Sequence, residues 1–322
     1  MKTKQIGIII ILLSTVMIVQ AIGNPVFFVG KDSTIINVDI NRITNDVQQL
    51  CSTPKARNYK NITSLNLAGN YIFNEFQKTG LLTREQTYNV RGSTYKNIIA
   101  SYGPEKGERI VVGAHYDVCG NQQGADDNAS GVVGIIEIAR QFQKHQPKTK
   151  YRYDFVAYSL EEPPFFRTDY MGSHIHAKYL RDNNIIVKAM VSLEMIGYFS
   201  DEPKSQEYPL GFLKLFYPTK ANFIAVVGKF GNGSLTRQFK KGIKKGSAIK
   251  VTSINAPASI QGIDFSDHLN YWKYDYDAIM ITDTSFFRNQ NYHKVTDTSE
   301  TLDYVKMAEV IKGVTFTLIN FE

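Results

Sequence analysis

The sequence predicts an α/β protein, a single globular domain built on a central mixed, mostly parallel β-sheet with helices on both faces. Three observations carry that expectation. Stretches of strand length alternate with amphipathic stretches of helical period along most of the chain, the order that produces parallel strands joined by crossover helices. The strand stretches are strongly apolar, as in Arg109 to Tyr116 and Ala278 to Thr282, which suits a sheet covered on both sides. Several of them end in an imidazole or a carboxylate, and ligands of such sheets gather at the carboxyl ends of the strands.

The elements follow in order. From Asn37 to Gly80 the pattern is helical, with Val47, Leu50, Leu65, Leu67, Ala68, Ile72 and Phe73 at amphipathic spacing, interrupted at Pro54 and at the Asn58 to Asn61 loop. Strands are expected over Tyr95 to Tyr102 and Arg109 to Tyr116, then a helix over Gly131 to His145 and a strand over Tyr151 to Leu160. A helix over Met171 to Asn183 precedes strands at Ile185 to Leu193 and Asn222 to Gly228. The chain closes with a helix over Leu235 to Lys245, a strand at Ala278 to Thr282 and a helix from Thr301 to Asn320. No repeat, low-complexity tract or linker divides it.

Met1-Lys-Thr-Lys followed by the uncharged run Ile6 to Val19 has the layout of a secretory signal peptide, expected over residues 1–22. The run is short of the ~20 apolar residues that span a bilayer, and a retained N-terminal anchor is the alternative. Export, to a periplasm or the medium, then leaves residues 23–322 as one domain, long enough for a large core. Of the formal charge of +7, Lys2 and Lys4 lie in the leader. Much of the remainder falls at helical spacing between Arg237 and Lys250, a solvated helix face rather than a nucleic-acid surface. The two cysteines, Cys51 and Cys119, exclude a disulfide framework and a zinc site with closely paired thiolates. Export permits a bridge between them, and two separate thiols fit equally well.

Val111-Val-Gly-Ala-His115-Tyr-Asp117 ends one strand, Glu161 and Glu162 follow another, and Glu194 ends a third. Gly124-Ala-Asp126-Asp127-Asn128-Ala-Ser-Gly131 and Asn291-Tyr-His293-Lys-Val-Thr-Asp297 add further carboxylates and a second imidazole. Unpaired buried charge is costly, and a bound divalent cation removes the cost. Imidazole and carboxylate are the donors of catalytic zinc, and a metal pair needs a carboxylate able to bridge it.

In that order these blocks resemble the co-catalytic zinc aminopeptidases, a family related to bacterial leucyl aminopeptidase, glutamate carboxypeptidase and glutaminyl cyclase. The resemblance runs from about His115 to Asp297 and implies a zinc exopeptidase-like catalytic domain over 23–322, two zinc ions and peptide substrates. It implies His115 and Glu194 on one ion, Glu162 and His293 on the other, and Asp127 bridging both. It further implies Glu161 as the general base toward a metal-bridging water, and Asp117 orienting His115 from behind. Ser266-Asp267-His268 resembles another block of the family, placing Asp267 and His268 beside the pocket in a structural or substrate-lining role rather than on a metal. Glu194 departs from the leucyl aminopeptidase pattern, which has Asp there, so substrate preference does not carry over. Arg167 and Arg288 lie near the ligands in sequence and could receive a substrate carboxylate, although a structural ion pair is the commoner fate of such an arginine, which leaves amino- against carboxy- or dipeptidase polarity open. A glutaminyl cyclase using one zinc, and a binding protein that kept the fold, are the other readings. Asp126 is expected to stabilise its loop rather than bind metal, and Phe199 to Thr219 to form a loop over the pocket.

Overall fold

A computed structural model describes residues 22–26, 29–30 and 36–322. The expected signal peptide, its last residue apart, lies outside the described residues. Among the described residues no helix is long and apolar enough to cross a membrane.

Helices α1 (Ile40–Cys51) and α2 (Ile62–Lys78) lead into the hairpin of β1 (Leu82–Val90) and β2 (Ser93–Tyr102). There follow β3 (Arg109–His115), α3 (Gly131–His145), β4 (Arg152–Tyr158), α4 (Gly172–Asp182) and β5 (Val187–Glu194). The remainder is β6 (Phe223–Gly228), α5 (Gly233–Gly246), β7 (Lys250–Asn255), the short α6 (His268–Trp272), β8 (Ala278–Thr282) and α7 (Tyr304–Ile319). The eight strands form one sheet in the order β1-β2-β4-β3-β5-β8-β6-β7. Four of its seven pairings are parallel, and they include the continuous centre β4-β3-β5-β8, as expected.

Alternation along the strands divides the core. Ile110, Val112 and Ala114 of β3 pack with α1, α2, α3 and α7, while Val111 packs with Ala177 and Leu180 of α4 and Tyr271 of α6. The larger layer centres on α3, whose Val132, Val133, Ile135, Ile136, Ile138 and Phe142 are fully buried. Each such side chain contributes about 1.5–3 kcal/mol by leaving water. Glu137 of the same helix is also fully buried. Ion pairs compensate its charge: Arg42 meets it at 2.7 Å and Arg140 at 3.3 Å.

The two strands that the sequence pattern does not single out are the two edges. Leu82–Val90 and Lys250–Asn255 carry mostly polar side chains, because an edge strand with a solvated face needs no apolar run. In the centre the parallel strands all point the same way, so His115, the end of β4 and Glu194 come out along one rim of the sheet.

Candidate active site

His115 is the last residue of β3 and is buried. Its Nδ1 lies 3.2 Å from the backbone carbonyl of Asp117, which accepts the ring N–H. That leaves the Nε2 lone pair facing outward, 3.4 Å from Asp127 Oδ1 and 3.4 Å from Glu194 Oε2. A second imidazole approaches from the opposite side. His293 Nε2 lies 3.2 Å from Asp127 Oδ2 and 3.2 Å from Glu162 Oε2. The carboxylate of Asp127 therefore stands between the two rings, one oxygen toward each.

The supports of these groups are local. Gly124, at φ +63°, and Gly131 leave room where a Cβ would strike Val118 and the Asp127 carbonyl, or Asn128 and the Leu193 carbonyl. The loop they delimit has a cis Asp127–Asn128 peptide. Its backbone N–H groups at Asp126 and Asp127 donate to the two oxygens of Asp297, at 2.9 and 3.1 Å. Asn128 accepts from Gly131 N and Met195 N and donates to the Leu193 carbonyl, tying the loop to the end of β5. Glu194 is held in turn by Ser266 Oγ at 2.7 Å and Asn128 Nδ2 at 3.3 Å. The carboxylate of Asp117 accepts from the N–H groups of Glu161 and Glu162, each at 3.1 Å. Asp117 thus positions three residues: His115 through its carbonyl, and the glutamate pair through its side chain, with Oδ1 3.6 Å from the ring.

The electrostatics are those of a site made for cations. Burial pushes Glu161 and Glu194 up, against the pull of His115, and raises Glu162 to about 8 with help from Asp127. Asp127 moves the other way despite burial, because His115 and His293 hold its charge. His293 is raised to about 10, burial being outweighed by Asp127 and Glu162. Asp127 Oδ2 is buried and accepts no hydrogen bond. Four buried carboxylates and two imidazoles with their inner nitrogens converging are donors of the kind that hold catalytic zinc. Among the described residues three groups could hold an ion, each with ligand atoms within 4.8 Å of one another: His115, Asp127 and Glu194; His115, Glu161 and Glu162; and Cys119, Glu162 and His293.

Residues 97–317 match the model of peptidase family M28. The chain belongs to that family. This M28 peptidase is 45% identical over 287 residues to the uncharacterized protein YfbL of Escherichia coli strain K12, with 87% of each chain covered. It is 26% identical over 275 residues to leucine aminopeptidase 1 of Blastomyces gilchristii, covering 80% of this chain but only 64% of the longer fungal one. Its fold matches the LapA aminopeptidase of Legionella pneumophila with a TM-score of 0.67 at 20% identity, over 90% of this chain and 77% of that one. Family membership makes the protein a metallopeptidase hydrolase.

Around the cluster the M28 peptidase has a cavity of about 380 Å³, lined by Asp127, Glu161, Glu162, Glu194 and His293 at one end. Phe166, Leu213, Val227, Ile254, Met280 and Phe286 line its apolar remainder. The loop expected over the pocket contributes Gln206, Glu207, Tyr208 and Tyr217.

Four residues for which a substrate-facing or a structural role was open do not line it. Arg288 is buried and spent on structure: it donates to Gln206 and to the Ala221 and Phe223 carbonyls, with its guanidinium 4.5 Å above the Phe223 ring. Arg167 lies outside the rim, paired with Asp264 at 2.6 Å and stacked between Phe166 and Phe265. Asp267 and His268 are buried, with His268 bonded to the Ile263 carbonyl and packed edge-on against Trp272. Burial raises Asp267 to about 7. The Asp126 carboxylate accepts from Gly197 N and Asn289 Nδ2, contacts that hold its loop.

Arg57 is the support that sequence reading misses. It is buried and donates to the carbonyls of Leu50, Tyr116, Gln123 and Gly124, shaping the loop between His115 and Asp127. Nothing in its local sequence, in a loop after α1, marks it.

Proposed function

We propose that this protein is a zinc aminopeptidase that removes apolar residues from the free amino ends of peptides. The carrying observation is the lining of the cavity: five carboxylates, those of Asp127, Glu161, Glu162, Glu194 and Glu207, and, among the described residues, no arginine or lysine. With Asp127, Glu162 and Glu194 given to the metals, Glu161 and Glu207, the latter also paired with Lys214 at 2.5 Å, keep the lining acidic toward a substrate ammonium. A substrate carboxylate finds no arginine there, since Arg167 and Arg288 are both engaged elsewhere. The apolar remainder suits a side chain such as leucine or phenylalanine, and each methylene it accepts is worth about 1–3 kcal/mol of discrimination.

In this reading His115, Asp127 and Glu194 hold one zinc ion, and His293, Asp127 and Glu162 the other. The bound metals would polarise the scissile carbonyl and acidify the attacking water. Glu161 lies 3.9 Å from His115 Nε2 and lines the cavity. Burial raises its proton affinity, which suits a group that takes the proton of the attacking water and returns it to the departing amine. The hydroxyl goes to the acyl carbon, the C–N bond breaks, and the amine leaves neutral. Asp117 keeps Glu161 and Glu162 in register throughout by their backbone N–H groups.

The apolar run behind Met1–Lys4 supports export. The chain is tethered just beyond it, where the Gly23 carbonyl accepts from Lys240 Nζ and Ser253 Oγ. N-terminal sequencing of the mature protein tests this, and a retained Met1 would refute cleavage.

The activity is tested by incubating zinc-loaded protein with leucine anilide, N-acetyl-leucine anilide and a glutaminyl peptide. Release of the anilide only from the free amine is expected. Ammonia from the glutaminyl peptide without anilide release would assign a cyclase instead, and zinc binding with no turnover of any substrate would assign a binding protein.

A further inference from the structure

Cys119 sits in the loop that leaves β3, four residues after His115. Its backbone N–H donates to Glu162 Oε1 at 3.1 Å. Its sulfur, a carboxylate oxygen of Glu162 and a ring nitrogen of His293 all lie within 4.8 Å of one another. The thiol is free, as is that of Cys51. On the same side of the cluster, Asp127 Oδ2 is buried and accepts no hydrogen bond, with His293 Nε2 at 3.2 Å. The His293 end thus offers nitrogen, two carboxylates and sulfur. The His115 end offers nitrogen and carboxylates alone.

We propose that Cys119 is a further metal ligand, a thiolate that completes the His293 end of the cluster and makes that position selective for soft ions. The inference rests on the metal-pair reading above. On ligation the S–H bond is exchanged for a sulfur–metal bond, and the proton leaves to solvent.

Two consequences follow from coordination chemistry. A thiolate favours zinc, cobalt or cadmium over manganese and magnesium, so the two ends differ in metal preference. With Cys119 added, the His293 end has a protein ligand more than the His115 end, and the ion with fewer protein ligands is the one that keeps a position open for water or substrate. The open position then falls at the His115 end, which is where Glu161 stands.

The test is cobalt loading of metal-free full chain, followed by absorption spectroscopy of wild type, Cys119→Ser and Cys51→Ser. Wild type and Cys51→Ser should show the visible ligand-field bands of bound cobalt together with a near-ultraviolet thiolate-to-cobalt charge-transfer band. Cys119→Ser should keep the visible bands and lose the charge-transfer band. Visible bands without charge transfer in wild type, or charge transfer that persists in Cys119→Ser, would overturn the role of Cys119 and leave the metal pair standing. No cobalt bands of either kind in wild type would overturn the metal-pair reading and this one with it. A second measurement needs no variant at this position: in Cys51→Ser, zinc should slow alkylation of Cys119 by about tenfold or more, since a ligated thiolate is withdrawn from reaction. An unchanged rate with zinc bound would contradict the proposal.

Discussion

The two ends of the cluster are built in different ways. His115 and Glu194 close adjacent parallel strands, and the register of β3 on β5 sets their separation. Each is braced behind: the ring by the Asp117 carbonyl, the carboxylate by Ser266 and Asn128. His293 and Glu162 stand on loops instead, His293 with φ +55° and its ring stacked on Tyr292 at 3.8 Å. The side chain of His293 is 27% exposed and that of His115 only 1%. One end is fixed by the sheet; the other is an arm laid across it. Rigid elements hold a site more exactly than loops do, so the His115 end is the natural place for the chemistry and the His293 end for a closing ligand.

The largest effect expected from this asymmetry is at Glu161. Glu161→Gln should lower kcat on leucine anilide by about 10²–10⁴-fold while both metals stay bound; wild-type turnover would remove Glu161 from the proton path. Next comes the bracing of Glu194. Ser266→Ala should weaken metal at the His115 end by about 10–100-fold and leave the other end unchanged, as read by competitive chelation. Equal weakening of both ends would erase the distinction between them. At the arm, Tyr292→Ala removes a stacking contact of about 0.5–1.5 kcal/mol, so the second ion should be lost no more than about tenfold more easily.

The smallest effect is a slope with pH in the metal-free protein. His293 is raised from 6.5 to about 10 in the fold, burial opposing its charge while Asp127 and Glu162 favour it. A raised histidine contributes stability that is complete below its unfolded value and is lost as pH rises through the folded one. The melting temperature of metal-free protein should therefore fall from about pH 6.5 to about pH 10, less steeply in His293→Gln. Zinc-loaded protein should lack this component, because a ligating imidazole carries no second proton. An equal slope in metal-free wild type and His293→Gln would locate the titration elsewhere.

Much of this was legible in the sequence, for a physical reason. A buried strand must be apolar until it reaches the rim, so a His or Glu at the end of such a run announces itself, as His115 and Glu194 do. Gly131 starts the helix expected there because Asn128 and the Leu193 carbonyl leave no room for a side chain. Edge strands carry no such apolar signature, which hid β1 and β7. Arg57 acts through backbone carbonyls brought together only by folding, and no spacing reveals that. Arg288 shows the structural outcome of the two that the sequence left open. Closeness in sequence to His293 suggested a substrate contact, but the turn at Ser285–Phe287 sends it inward under Gln206 and Phe223. The fold and the residues that cluster at the rim were written in local pattern; the supports were written in tertiary contacts.

The central claim is that Asp127 stands between two metal ions, each with its own imidazole. Anomalous diffraction at the zinc edge from crystals of the zinc-loaded protein tests it directly. Two peaks are expected, one about 2.0–2.2 Å from His115, Asp127 and Glu194 donor atoms and one equally close to those of His293, Asp127 and Glu162. A single peak, or peaks that leave Asp127 outside coordination distance, would contradict it.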